Sequence, residues 1–192
     1  MPITGNGFEI LVVRRRVQRR RVGAASRERT IGEYRVFADG AVVNGLSGTI
    51  AEQKGPSDSS TSGNTFDRRI EPGRYPLFTQ DGTKYKTIGY DRSDRAATDF
   101  SKKPRPGIEL KETGDRSEIL IHPAANFLSS EGCIHPSGPL PDASSQIDHN
   151  TESRPRVIAL IEAMRRFCGD GFPRRDGFRI PDCWCVIDDE LE

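Results

Sequence analysis

The sequence predicts a mainly β fold, an α+β arrangement built as a β-sandwich or barrel with one C-terminal helix. Three observations predict it. Apolar residues recur in short runs rich in β-branched types, such as 8–13 and 119–121. Nineteen glycines and thirteen prolines punctuate 192 residues, which suits many turns and not a helical bundle. Helical periodicity is convincing over a single stretch, 155–168. The length fits a single domain, 1–192, with a β core over 8–138 and a helix and strand from 151–192 packed on it.

The elements follow in order. Phe8 to Arg14 reads as the first strand. Residues 15–22 (Arg-Arg-Val-Gln-Arg-Arg-Arg-Val) extend it as a solvated edge, where charge discourages stray pairing. Thr30 to Phe37 alternates, Asp39-Gly40 supplies a hairpin turn, and Val42 to Ile50 returns. Residues 52–65 are a polar loop. Pro72-Gly73 turns the chain into a strand at Tyr75, and Asp81-Gly82 turns it back toward Tyr85 and Ile88. Residues 91–106 read as a proline-containing surface loop. Ile108 to Leu110 and Glu118 to Ile121 are short strands joined at Thr113-Gly114-Asp115. In 155–168, Val157, Ile158, Leu160, Ile161, Met164 and Phe167 share one helical face, with Ser153 as N-cap and Gly169 as stop. Cys183 to Ile187 is the last strand.

A net charge of +1 points to no partner by itself, but the charges are unevenly placed. Residues 1–35 carry nine arginines (14, 15, 16, 19, 20, 21, 27, 29 and 35), and 182–192 carry five acidic residues and no basic one. Such a head and tail either attract each other or address separate partners. The arginine run lacks the aromatic interleaving of a single-strand nucleic-acid binder, so no nucleic acid is expected as partner. No apolar stretch is long enough to span a membrane. The early apolar run 10–13 is too short for a signal peptide, and the arginines follow it instead of preceding it. Synthesis in the cytoplasm with reduced thiols is therefore expected. Four cysteines (133, 168, 183, 185) would allow two disulfides in an oxidising compartment. Cys183-Trp184-Cys185 has a spacing found in some metal sites, yet no second ligand pair lies near it, so a core role is expected and no metal or cofactor.

Residues 119–138 carry the chemistry. His122 leaves the end of an apolar strand, and eleven residues later Cys133 stands behind Gly132. A cysteine nucleophile needs a neighbouring base, because a free thiol is only a few per cent thiolate near neutral pH. An imidazole can lower the thiol pKa and later protonate a leaving amine. Gly132 would let the backbone approach a substrate carbonyl, and N–H groups at the Gly132-Cys133 turn would hold the oxyanion. Asn126, Ser130 and a backbone carbonyl are the candidates for orienting His122. His149, between Asp148 and Asn150, reads as a loop residue.

Ser130-Glu131-Gly132-Cys133-Ile134 after Ile121-His122 resembles the signature of L,D-transpeptidase catalytic domains. A closer resemblance is to an uncharacterised bacterial and phage family, carried by 30–33, by Ile70-Glu71-Pro72-Gly73-Arg74-Tyr75, by 119–124 with Asn126 after it, and by 132–134. The resemblance implies a β catalytic domain, a thioester on Cys133 and His122 as base and then acid, with Ser130 and Gly132 in the catalytic turn. It implies a peptidoglycan tetrapeptide stem as substrate, cut or exchanged at the L,D bond before D-alanine, with Asn126, His135 and Tyr75 lining the substrate side. Water as acceptor gives an L,D-carboxypeptidase, an amine a transpeptidase. The chain departs from the pattern at three points. Its His-to-Cys interval is short, Glu131 replaces a second histidine, and His135 stands where an arginine is usual.

A wall substrate and no signal peptide together predict another delivery route, by injection from a type VI-like secretion apparatus as an antibacterial toxin or by a phage. An immunity protein or a secretion-apparatus component is then the expected protein partner. The first rival is an inactive module of the same fold that binds wall peptides or a protein, and the second, less favoured, is a nucleic-acid-binding protein using the basic head.

Overall fold

The computed structural model describes residues 3–53, 69–114, 116–128 and 132–189. Strands β1 (Phe8–Val22), β2 (Ala25–Ala38) and β3 (Ala41–Gln53) form an antiparallel meander, with Asp39-Gly40 as the predicted two-residue turn between β2 and β3. Of the predicted loop 52–65, residues 54–65 lie outside the described residues. After it come β4 (Gly73–Thr79), β5 (Tyr85–Lys86), helix α1 (Asp94–Thr98) and β6 (Arg105–Pro106). The stretch 91–106 is thus not wholly loop. Ser93 caps α1 by accepting from the Ala96 N–H, and Arg105-Pro106 pairs in parallel with Tyr85-Lys86. Then follow β7 (Ile108–Leu110), β8 (Ile119–Ile121), β9 (His135–Ser137), helix α2 (Arg154–Cys168) and β10 (Arg179–Asp189).

Eight strands join in the order β8-β7-β4-β10-β1-β2-β3-β9. The two ends of this sheet meet. Ile121 bridges Ile134 in parallel, the Ile134 N–H donating to the Leu120 carbonyl at 2.8 Å and the His122 N–H to the Ile134 carbonyl at 3.1 Å. The sheet is therefore a nearly closed barrel, and its seam runs between β8 and the residues entering β9. The molecule is mainly β with a C-terminal helix, as expected.

Strand β10 departs from the sequence expectation. It is no outer layer on an 8–138 core, because it lies in the middle of the sheet, parallel to β1 and antiparallel to β4. Its run Cys183-Trp184-Cys185-Val186-Ile187 is apolar at every position, the pattern of a strand covered on both faces. Cys183 and Cys185 point into the main core, beside Phe8, Ile10, Val12, Val36 and Leu77. Helix α2 packs on that core through Val157, Leu160, Ile161 and Met164. Gly169 ends the helix with φ 53°, as predicted, but Ser153 does not cap it. Its hydroxyl donates to the Pro136 carbonyl and accepts from the Ala124 N–H, while Asp148 caps a turn of π-helix, His149–Ser153, that leads into α2. Ser153 thereby ties the chain just after His122 to β9.

The arginine run also needs correction, since two of its neighbourhood's guanidinium groups are fully buried. A bulge at Arg15 shifts the β1–β2 register between Arg14 and Arg16. Before it, Arg14 points inward and pairs with Glu52 through two hydrogen bonds of 2.8 Å. After it, Gln18 points to the opposite face, where Arg29 donates to Gln18 and to the carbonyls of Phe127, Asp142 and Ser145. Arg15, Arg16, Arg19 and Arg21 remain exposed.

Candidate active site

The seam assembles the site. Ile121 and Ile134 face the main core. Side chains alternate along an extended pair, so Leu120, His122, Cys133 and His135 all emerge on the other face. Cys133 stands one step before the bridge and His122 one step after it, which makes them diagonal neighbours across the seam. Gly132, at φ 77°, turns the chain into the seam immediately before the cysteine, a conformation that favours glycine. Cys133 is 6% exposed, and its thiol donates weakly to the Glu118 carbonyl at 3.6 Å.

His122 is held on three sides. Its Nδ1 lies 2.8 Å from the Pro123 carbonyl, and since a carbonyl only accepts, Nδ1 carries the hydrogen and Nε2 keeps its lone pair. Of the three orienting groups considered from sequence, the structure thus shows the backbone carbonyl. The ring of Tyr85 lies 4.1 Å from the His122 ring, and His135 meets it edge-on at 4.5 Å. His135 Nδ1 in turn donates to the His122 carbonyl at 3.1 Å. Burial pushes His122 well below the usual imidazole range, and the neighbouring His135 and Arg105 push the same way. Burial likewise lowers His135 to about 4. Both rings are neutral at neutral pH. His122 is therefore a neutral ring with a free Nε2 lone pair and not a standing imidazolium.

The remaining predicted residues separate. His135 is wholly buried behind His122, so it positions that ring and does not face substrate. Asn126 is exposed, with φ 61°, and its main chain exchanges two hydrogen bonds with Ile147. Its visible work is to shape the loop after His122, and asparagine tolerates that conformation. Tyr75 lies in the main core, its hydroxyl donating to the Glu71 carbonyl and its ring folded back over Gly73. The Pro-Gly-x-Tyr segment is a packed corner. Ser130 and Glu131 lie outside the described residues. His149 is buried in the π-turn, edge-on to Phe100, and is not a solvated loop residue.

Three side chains of this region escape the sequence reading. Tyr85 walls His122, Arg105 donates to the Tyr85 hydroxyl at 3.3 Å, and Arg116 feels the charges of Cys133, Glu71 and Tyr75. Each comes from a short strand or loop with no motif of its own, so spacing gave no signal. Gly107 allows the arrangement, because a Cβ there would meet the Cβ of Tyr85 at 3.0 Å. No family model, curated protein or solved structure matches the chain.

Proposed function

We propose that the protein is a cysteine-dependent acyl-transfer enzyme that cuts or exchanges the L,D bond before the terminal D-alanine of peptidoglycan tetrapeptide stems. One observation carries the reading: the seam sets Cys133, behind left-handed Gly132, diagonally across from a buried neutral His122 whose Nδ1 is fixed on Pro123. The likeness of 119–134 to L,D-transpeptidase signatures supplies the substrate class.

In this reading the Cys133 thiol attacks the scissile carbonyl while its proton passes to Nε2 of His122. The oxyanion is met by the N–H of Cys133 at the Gly132 turn. Nε2 then gives the proton to the departing D-alanine nitrogen, leaving a thioester. Water or an amine attacks the thioester as His122 takes its proton, and His122 returns that proton to the departing thiolate of Cys133, which regenerates the thiol. Tyr85 and His135 keep the ring in place through these proton transfers.

The test is incubation with purified muropeptides followed by mass analysis. The wild type should release or exchange one terminal D-alanine, and Cys133→Ala should do neither. Unchanged muropeptides with the wild type would reject the reading and favour a non-catalytic wall-binding module. Delivery to the wall is part of the same proposal. Periplasmic expression of the wild type should alter the muropeptides of a susceptible cell, and co-expression of a cognate immunity protein should prevent it.

A further inference from the structure

Arg105 is a cation held beside the catalytic pair with no described carboxylate to neutralise it. Its guanidinium lies 3.7 Å over the ring of Phe100 and 5.8 Å from the ring centre of Tyr85. One Nη donates to the Tyr85 hydroxyl, while Nε is buried without a hydrogen-bond partner. Several other arginines of the molecule do meet carboxylates, as Arg14 does with Glu52 and Asp189, Arg74 with Glu9, and Arg156 with Glu152. A guanidinium stacked on one ring and hydrogen-bonded to the hydroxyl of another keeps its charge and its fork while losing rotamer freedom, which suits it to bind a planar anion.

Distance favours a particular anion. A carboxylate one residue beyond the scissile carbonyl sits at most about 3.6 Å further along the chain. A charge-assisted hydrogen bond adds about 2.8 Å. Its receptor must therefore lie about one aromatic side chain from the nucleophile. Tyr85 spans such an interval on the base side of the pair, its ring 4.1 Å from the His122 ring and its hydroxyl on Arg105.

We propose that Arg105 is the receptor for the free carboxylate of the substrate's terminal D-residue, clamped for that purpose by Phe100 and Tyr85. The inference rests on the acyl-transfer reading and narrows its substrate to peptides whose last carboxylate is free.

The experiment uses a stem tetrapeptide ending in free D-alanine and the same peptide as its terminal carboxamide. Binding to the Cys133→Ala protein is measured by calorimetry, and D-alanine or D-alaninamide release is measured with the wild type. The acid should bind about tenfold or more tighter than the amide. Arg105→Met should bring the two within about twofold, and Arg105→Lys, which keeps charge without the fork, should fall between. Loss of fold in Arg105→Met would be seen as binding of neither peptide and an altered melt, and the lysine variant then carries the comparison. The proposal is overturned if the acid-over-amide preference survives in the Arg105 variants, or if it is lost in Arg116→Met instead. Arg105-dependent preference without turnover would sink the acyl-transfer reading and leave the carboxylate site standing. Turnover with no Arg105-dependent preference would do the reverse.

Discussion

His122 donates its Nδ1 hydrogen to the Pro123 carbonyl, so in the proposed reaction its working atom is Nε2, and the pH at which Nε2 protonates sets that reaction's acid limit. Burial, then His135, then Arg105 all disfavour the imidazolium. The sign follows directly. Activity is complete while Nε2 is free and is lost as pH falls through a pKa displaced downward, so the acid limb of kcat/KM should lie well below pH 6.5. Initial rates of D-alanine release across pH 4–8 measure it, and a limb at 6.5 or above would count against a buried neutral base. His122→Ala should lower kcat about 10²- to 10⁴-fold at neutral pH. That His122 and Cys133 come to one seam was legible in the sequence, because a histidine leaves an apolar strand ahead of Gly-Cys-Ile. The pair's surroundings were not. A backbone carbonyl has no sequence signature, and Tyr85 and Arg105 reach the pair only through tertiary pairing of β5 with β6.

At the scale of elements, the β1–β2–β3 meander shows how one small residue fixes the course of two strands. Gly32 on β2 pairs with Arg14 on β1, next to the bulge at Arg15. A Cβ on Gly32 would come 2.4 Å from the Val13 carbonyl oxygen and 3.0 Å from the Arg14 Cα. Both are backbone atoms, so the strands would have to separate. Gly32→Ala should therefore cost roughly 2 kcal/mol, the range of an overpacked interior site, read as a lower urea midpoint with an unchanged slope. A variant as stable as the wild type would show that β1 can shift freely. Gly32 stands in Thr30-Ile31-Gly32-Glu33, and close strand approach gives that position a physical reason to be glycine. The hairpin turn, the short strands and the amphipathic helix were legible because each is a local pattern. Burial of Arg14 and Arg29 was not, because arginine runs are usually solvated and the bulge that redirects them has no pattern of its own. The place of β10 was half-legible, in that its apolar run signals two covered faces while the strands beside it are set by long-range pairing.

For the whole molecule, one residue of the basic head, Arg14, meets one of the acidic tail, Asp189. Arg14 from β1 pairs with Glu52 from β3 and Asp189 from β10, and donates to the Ile70 carbonyl. Arg69 adds a contact to Asp189 at 3.5 Å and donates to Thr30. Burial alone would pull the Arg14 guanidinium down, and Glu52 and Asp189 more than reverse it. The group joins β1, β3, β10 and the residues entering β4, so it fastens strands from both ends of the chain. A buried pair of this kind is costly to break on one side, because the remaining charge has neither water nor partner, whereas replacing both members is often nearly neutral. Arg14→Met should therefore destabilise the protein by about 3–5 kcal/mol, through the isolated Glu52 carboxylate. Arg14→Met with Glu52→Leu should recover much of that loss, since Arg69 still neutralises Asp189. Urea unfolding of the two single variants and the double variant separates the cases. Additive losses would mean that the two charges act independently, and a double variant less stable than Arg14→Met would mean that Glu52 has a partner more important than Arg14. The seam holding Cys133 and His122 lies between β8 and β9, on strands that contribute no side chain to this charged group. The double variant should accordingly keep the wild-type rate of D-alanine release while its unfolding midpoint changes.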